Sequence, residues 1–337
     1  MSSSTGPVAP AAGPLLGPAE IRSLAERAGI RPTKTLGQNF VLDGGTVRKI
    51  VRGADVAAGQ RVVEVGPGLG SLTLGLLEAG ADVVAVEIDP VLASLLPDTV
   101  RRHVPGAAVD VVDLPDVVPG EAAADAPGGM PDDAPDAVPG DPDPGSRPPV
   151  PSLTVVRGDA LDVRDLPGRA PTALVANLPY NVSVPVLLTF LERFPTLERV
   201  LVMVQAEVAD RLAAPPGSRT YGVPSAKAAW YASARRTATV GRSVFWPVPN
   251  VDSALVRLDR RSPPETTATR EQVFAVVDAA FAQRRKMLRS ALATLAGGSA
   301  AAVAAIEAAG VDPQARGEAL PIDAFARIAE HLPSPAP

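Results

Sequence analysis

The sequence contains no cysteine, which excludes disulfide frameworks, thiolate metal sites and cysteine nucleophiles. Histidine is nearly absent: His103 and His331 are the only two, too few for a histidine-rich centre, and no metal is expected. Lysine is confined to Lys34, Lys49, Lys227 and Lys286, so the positive charge is almost all arginine, whose planar guanidinium suits contacts to phosphate and bases. No run approaches the roughly 20 apolar residues of a membrane span. The N-terminus, MSSSTGPVAPAAGPLLGPAE, lacks the basic start and unbroken apolar stretch of a secretion signal, so a cytoplasmic protein with no membrane partner is expected.

What is present suffices for a folded protein. A chain of 337 residues with 46% hydrophobic content can form one large or two modest domains, each with its own core. The formal charge of -5 argues at first against a polyanionic partner. Its distribution reverses that: residues 106–151 hold ten acids and the single base Arg147, leaving 31 bases against 27 acids elsewhere, a net of +4.

Along the chain, the first 18 residues are rich in Ser, Pro, Ala and Gly and read as a disordered tail. Ile21, Leu24, Ala25 and Ala28 then fall at helical spacing. From Arg61 the segments RVVEV, SLTLGLLEAG and DVVAV alternate as a βαβ unit of a parallel sheet. Further strands are predicted at 153–156, 172–177 and 198–204, with an antiparallel pair near 237–244 and 253–258. The acidic, Pro-rich tract at about 106–151 interrupts this alternation. It has too few large apolar side chains to offset ordering entropy and reads as a flexible surface insert, a solvated spacer in preference to a docking element. After Pro263–Pro264 the chain turns alanine-rich and helical, from about 269 to 331.

Gly66, Gly68 and Gly70 in VVEVGPGLGSLT lie between a strand and a helix, where glycine lets the backbone turn sharply and approach a ligand at the helix N-terminus. A three-glycine loop alone is equally well a tight turn. Glu87, 21 positions after Gly66 at the end of the next strand, can accept hydrogen bonds from both hydroxyls of a ribose. Both a nicotinamide dinucleotide and S-adenosylmethionine present such a ribose. The spacing G-x-G-x-G, rather than G-x-G-x-x-G, favours S-adenosylmethionine as the cofactor. Asp159 in VVRGDALDV is either an acceptor for the adenine amine or a helix N-cap.

The strand TALVAN runs into Asn177-Leu178-Pro179-Tyr180, at the sheet edge where such folds bind ligands. An exocyclic amine on a purine is a poor nucleophile because its lone pair is delocalised into the ring. The Asn177 side-chain carbonyl and a main-chain carbonyl of Leu178 or Pro179 can hold its two hydrogens and favour a pyramidal nitrogen, with Tyr180 stacking on the base. In VFWPVPNVDS, Phe245 is read as the other face of a stacking slot and Trp246 as ordinary packing. In FAQRRKMLRSAL, Arg284, Arg285, Lys286 and Arg289 fall mainly on one side of an expected helix, with Phe281, Met287, Leu288 and Leu292 facing inward. Such a run is often only a solvated face; the net positive charge outside the insert favours RNA phosphate contacts.

Taken in order, LGQNF, EVGPGLGSLT, VEID, GDAL, NLPYN, FWPVPNVDS and FAQRRKMLRSAL resemble the KsgA/RsmA family of ribosomal small-subunit adenine dimethyltransferases across nearly all of residues 20–331. The resemblance implies a Rossmann-like S-adenosylmethionine methyltransferase sheet over 19–263, carrying the acidic insert, and a small C-terminal helical RNA-recognition domain over 264–337. It further implies dimethylation of N6 on two adjacent adenosines in the 3′-terminal hairpin of 16S rRNA, acting as a monomer on an immature 30S subunit during its biogenesis. Carried over by motif, Asn39 and Val41 join Gly66, Gly68, Gly70, Glu87, Asp159 and Asn177 as cofactor-site residues, and Asn177 through Tyr180 with Phe245 form the adenine clamp. The rivals are the related large-subunit rRNA adenine methyltransferase of macrolide resistance, and a non-catalytic RNA-binding assembly factor. The Leu within NLPY, Asn181 and the RRK segment favour the small-subunit enzyme; the intact glycine loop with Glu87 and NLPY favours catalysis.

Overall fold

The computed structural model describes residues 15–30, 39–114 and 150–332. An eight-stranded sheet forms the centre, made of β2 (Arg61–Val65), β3 (Asp82–Glu87), β4 (Ala108–Asp113), β5 (Ser152–Arg157), β6 (Ala173–Asn177), β7 (Arg199–Gln205), β8 (Ala232–Val240) and β10 (Ser253–Arg260). Their order is β4-β5-β3-β2-β6-β7-β10-β8, parallel from β4 to β7, with β10 and β8 added antiparallel. A separate two-stranded ribbon pairs β1 (Phe40–Val41) with β9 (Phe245–Trp246).

The apolar runs in the central strands follow from burial on both faces. On β3, Val84 and Val86 enter one core cluster and Val83 and Ala85 the other. The second cluster is covered by α1 (Pro18–Arg27), α2 (Gly44–Ala54), α3 (Ser71–Glu78) and α4 (Pro90–His103). Helices α2 and α4 start where Asp43 and Asp89 accept hydrogen bonds from the first-turn amides of Thr46, and of Val91 and Leu92. The first cluster is covered by α5 (Ser183–Arg193), α6 (Ala206–Leu212) and α7 (Val223–Tyr231), and it continues into α8 (Arg270–Ala282), α9 (Leu288–Ala291), α10 (Ser299–Ala308) and α11 (Ile322–Glu330). The C-terminal helices therefore share one core with the sheet: Phe274 meets Trp230 and Tyr231 edge-on at 6.2 and 6.1 Å.

Four sequence expectations are corrected. The acidic tract does not begin as a loose insert, because Ala108–Asp113 forms β4, paired in parallel with β5; residues 115–149 of the expected insert lie outside the described residues. The N-terminal tail is shorter than 18 residues, since Leu16 is buried and α1 starts at Pro18, while 1–14 lie outside the described residues. The late strand starts at Ala232 and ends at Val240, followed by a 3-10 turn over Arg242–Val244. The expected basic helix is interrupted: α8 stops at Ala282, and Gln283 to Met287 form a turn. The backbone N–H groups of Leu288 and Arg289 donate to Ala315 and Pro313 across the chain, so tertiary bonds replace the helical ones that the local pattern suggests. Met287 is consequently exposed, whereas Leu288 and Leu292 are buried as expected.

Candidate active site

A cavity of about 360 Å³, within the range of small-molecule sites, opens at the C-terminal ends of β3, β2 and β6. It is built by the β2–α3 loop. Gly66, Gly68 and Gly70 all have positive φ, and a Cβ at Gly68 would lie 2.9 Å from the Phe40 ring, so glycine is needed there both for conformation and for space. Glu87, 5% exposed, accepts from the backbone N–H of Gly68 at 3.1 Å and of Asp89 at 3.0 Å; desolvation nonetheless pushes its carboxyl above the usual range.

At the β6 end, the Asn177 amide nitrogen donates to the Asn39 carbonyl at 3.0 Å. That bond fixes the amide and leaves its Oδ1 as an acceptor at the cavity wall. Of the two main-chain acceptors that the sequence left open, the Pro179 carbonyl takes the Val182 N–H at 3.3 Å, while the Leu178 carbonyl accepts no hydrogen bond among the described residues. The Tyr180 hydroxyl shares a 2.9 Å hydrogen bond with Ser253, which is fully buried at the start of β10, and burial raises the Tyr180 hydroxyl above its ordinary value. This tether fixes the ring at the cavity wall.

The β1–β9 ribbon closes one side. The Val41 carbonyl accepts from Ser71 Oγ at 2.8 Å, binding the ribbon to the first residue of α3. Asn39, Phe40 and Val41 all line the cavity, together with Gly66, Gly68, Glu87 and Asn177 through Tyr180. Gly70 stands just behind the wall, its Cβ position 2.7 Å from Leu96. Asp159 is not brought into this cavity. Its Oδ1 accepts from the Leu161 N–H at 2.8 Å and it lines a neighbouring depression with Arg157 and Asp162; Gly158 before it is bonded to the Glu87 carbonyl, so Asp159 stands beside the Glu87 end.

Of the aromatic pair on β9, Phe245 departs from expectation, while Trp246 packs as expected. Phe245 is 1% exposed within the core behind Val41, its strand partner, and presents no free face, whereas Trp246 stacks on Phe40 at 6.2 Å. The aromatic ring that this ribbon gives to the cavity wall is Phe40.

Sequence reasoning missed Glu64. It is 1% exposed, lines the cavity, and accepts from Thr73 Oγ1 at 2.6 Å; desolvation pushes its carboxyl up to about 8, the Thr73 bond works against that, and the neighbouring Glu87 charge adds to it. The signal was an acid among the valines of RVVEV. Ser71 and Ser253 were also missed, and nothing in their local sequence marks them.

Apart from the cavity, Arg285, Lys286 and Arg289 are exposed on and beside the 283–287 turn. Arg284 differs: it pairs with Glu318 at 2.9 Å and donates to the Arg219 carbonyl at 2.5 Å. No helix among the described residues is long and apolar enough to cross a membrane, and these residues hold no group of three or more potential metal ligands.

The residues fit S-adenosylmethionine: a ribose acceptor in Glu87, a glycine backbone that a Cβ would obstruct at Gly68, and acidic walls for a cationic ligand. Known proteins agree. Two solved structures share the fold: a dimethyladenosine transferase from Plasmodium falciparum, at TM-score 0.61 and 19% identity over 86% of this chain and 95% of that one, and the 23S rRNA methyltransferase ErmE, at TM-score 0.54 and 24% identity over 87% and 99%. The ribosomal RNA small subunit methyltransferase A of Streptomyces griseus is 57% identical over 95% of this chain and 96% of its own length, and that of Streptomyces coelicolor 58% over 94% and 96%. The family model for ribosomal RNA adenine dimethylase matches residues 30–114 and 146–333, passing over most of the acidic tract. With a match that runs from the cavity-bearing sheet to the last helix, and relatives more than half identical along nearly their whole length, the chain belongs to the ribosomal RNA adenine dimethylase family.

Proposed function

We propose that this protein transfers methyl groups from S-adenosylmethionine to N6 of two adjacent adenosines in the 3′-terminal hairpin of 16S rRNA, two methyls to each. The observation that carries the reading is the pair of acceptors, Asn177 Oδ1 and the Leu178 carbonyl, that take no hydrogen bond among the described residues, on the wall of the cavity that also holds Glu87. S-adenosylmethionine supplies an electrophilic methyl on a sulfonium. The two acceptors take the hydrogens of N6 and favour a pyramidal nitrogen whose lone pair points into the cavity, with the Tyr180 ring, tethered by Ser253, against the base. Methyl transfer would form the nitrogen–carbon bond at the expense of the donor's carbon–sulfur bond, whose electron pair would stay with sulfur. The N6 proton, made acidic by the new bond, passes to solvent, so no strong base is required. Glu87 holds the ribose hydroxyls and Gly66 and Gly68 admit the donor, with Gly70 shaping the turn behind them; Asn39 and Val41 close the ribbon side, and Asp159 borders the adenine end. Phe245 supports the ribbon from beneath.

Target adenosines in a hairpin must leave their stack to reach such a cavity. Arg285, Lys286 and Arg289 supply phosphate contacts that hold the RNA while they do, and Arg284 braces the turn that carries the first two. The substrate is then an immature 30S particle in the cytoplasm, met by a monomer. Incubation of purified protein with S-adenosylmethionine and unmethylated 30S subunits, with mass-spectrometric mapping of the rRNA, is expected to show dimethyladenosine at two neighbouring positions. Modification at other positions, or none, would overturn the reading.

A further inference from the structure

Among the described residues lining the cavity, the charged side chains are all acids: Glu64, Glu87 and Asp89. Two of them are engaged with backbone amides. Glu87 accepts from Gly68 and Asp89, and Asp89 caps α4 through Val91 at 2.9 Å and Leu92 at 3.2 Å. Glu64 is different. Its Oε2 takes the Thr73 hydroxyl, and among the described residues its Oε1 accepts no hydrogen bond and no cation pairs with it, although it is almost wholly buried.

Strand order adds a second constraint. Glu87 closes β3, Asn177 closes β6, and β2, which carries Glu64, lies between them. In the donor, the sulfur links the ribose carbon to the transferable methyl. With the ribose at Glu87 and the methyl directed to Asn177, the sulfonium charge falls over β2, where Glu64 is the acid.

We propose that Glu64 is the specificity-determining residue by which this cavity prefers the cationic methyl donor to the neutral thioether that the donor becomes. The inference rests on the function proposed above. An unpaired carboxyl in this setting is protonated at neutral pH, as its raised value implies. The charge of the donor draws it into the carboxylate form, and a proton leaves to solvent as the donor binds. Methyl transfer removes the sulfonium charge, Glu64 takes a proton back from solvent, and the product loses that attraction. The group facing Glu64 from α3 is the neutral Thr73, and from β3 it is Glu87. Of the remaining charges on the neighbouring elements, Asp82 of β3 is held by Arg61, Glu78 of α3 by Arg48 of α2, Asp98 by Arg101, and His103 by Glu20. Lys49, Arg52 and Arg102 are exposed. Asp89 and Tyr180 share the cavity wall.

Calorimetry on the full chain tests this with S-adenosylmethionine and S-adenosylhomocysteine as probes, from pH 6 to 9, in buffers of different ionisation heat. For the donor, wild-type affinity is expected to rise about tenfold per pH unit below pH 8, with release of about one proton. The product is expected to respond less. Glu64→Gln is expected to weaken the donor by about tenfold or more at pH 8, change the product less than about twofold, and flatten the difference between their pH slopes. Equal losses for both ligands, or a slope difference that survives the substitution, would overturn the proposal. Should Glu64→Gln not fold, Thr73→Val removes the hydrogen bond that favours the carboxylate and is expected to move the donor's pH midpoint upward; an unmoved midpoint is equally fatal. Wild-type protein that binds both ligands alike at every pH sinks this inference alone, whereas protein that binds neither sinks the methyltransferase reading with it.

Discussion

The two ends of the parallel strands carry the same kinds of side chain and use them in opposite ways. At the N-terminal ends, Arg61 pairs with Asp82 at 2.6 Å and also donates to the Pro167 carbonyl; Asp82 further accepts from Ser152 at 2.5 Å and meets Arg169 at 3.4 Å. Arg199 donates to the carbonyls of Ala54 and Asp55 at 3.1 and 2.8 Å. At the C-terminal ends, Glu64 and Glu87 are as deeply buried as any of these and have no arginine partner among the described residues. Desolvation acts to raise Asp82 too, but the hydrogen bonds and charges of Arg61, Ser152 and Arg169 outweigh it and bring that carboxyl below its usual range; for Glu64 desolvation prevails. One edge is closed electrostatically and serves stability. The other is left open, as the proposed function requires of a site that a cationic ligand and an amine complete.

The sharpest way to break this contrast is at Asn177. Replacement by alanine removes the oriented acceptor without disturbing a core contact, and methyl transfer to 30S subunits is expected to fall by about a thousandfold or more, roughly 4 kcal/mol of transition-state stabilisation. Thermal unfolding should stay close to wild type. Near wild-type turnover would show that the open acceptors are not what the chemistry uses.

Next in size is the closed edge. Asp82→Ala leaves the Arg61 guanidinium, whose side chain is 8% exposed, without its carboxylate, and is expected to destabilise the protein by roughly 2 to 4 kcal/mol in denaturant titrations. Donor affinity should be nearly unchanged. If donor binding collapsed while stability held, the division of labour between the two edges would be wrong.

The open edge was the more legible of the two in sequence. Glycine spacing, the acid that follows it by one strand, and NLPY are local signals, and the structure gathers Gly66, Gly68, Glu87 and Asn177 to Tyr180 around one cavity. The parallel alternation also read correctly, because burial on both faces leaves continuous apolar runs. What escaped depends on partners distant in sequence. Ser253 matters through a tyrosine 73 residues away, and Phe245 was assigned to a stacking face because nothing in VFWPVPNVDS tells that Val41 covers it. The break after Ala282 comes from amides that bond to Pro313 and Ala315, and β4 was lost inside an acidic composition although β5 pairs along its whole length. Composition and periodicity report the chain's neighbours in sequence; these features belong to neighbours in space.

Glu64→Gln also sharpens the contrast through stability. In the unfolded chain a glutamate titrates near its ordinary value, and in the fold near about 8, so the folded state binds the extra proton between those limits. Stability from this group is complete below the ordinary carboxylate pKa and is lost as pH rises toward 8, by up to about 1.4 kcal/mol per pH unit. The ligand-free variant is therefore expected to melt higher than wild type at pH 8 and to match it near pH 4. A difference independent of pH would mean that packing, not charge, governs the site.

The smallest expected effect applies the same rule within one turn. Arg284 is engaged by Glu318 and the Arg219 carbonyl, as Arg61 of the closed edge is engaged by Asp82 and the Pro167 carbonyl, whereas Arg285 and Lys286 beside it have no acidic partner among the described residues. Each phosphate neutralised by a side chain contributes about 0.7 to 0.9 to the slope of log affinity against log salt. Replacing Arg285 and Lys286 together by alanine should thus lower that slope for a 3′-hairpin RNA by about 1.5 and weaken binding severalfold at low salt. Arg284→Ala is expected to lower the melting temperature while changing the slope little, because that side chain is occupied with the fold. Should Arg284 prove to carry the salt dependence, its ion pair with Glu318 must open on RNA, and pairing within the free protein would no longer separate structural arginines from those that await a ligand.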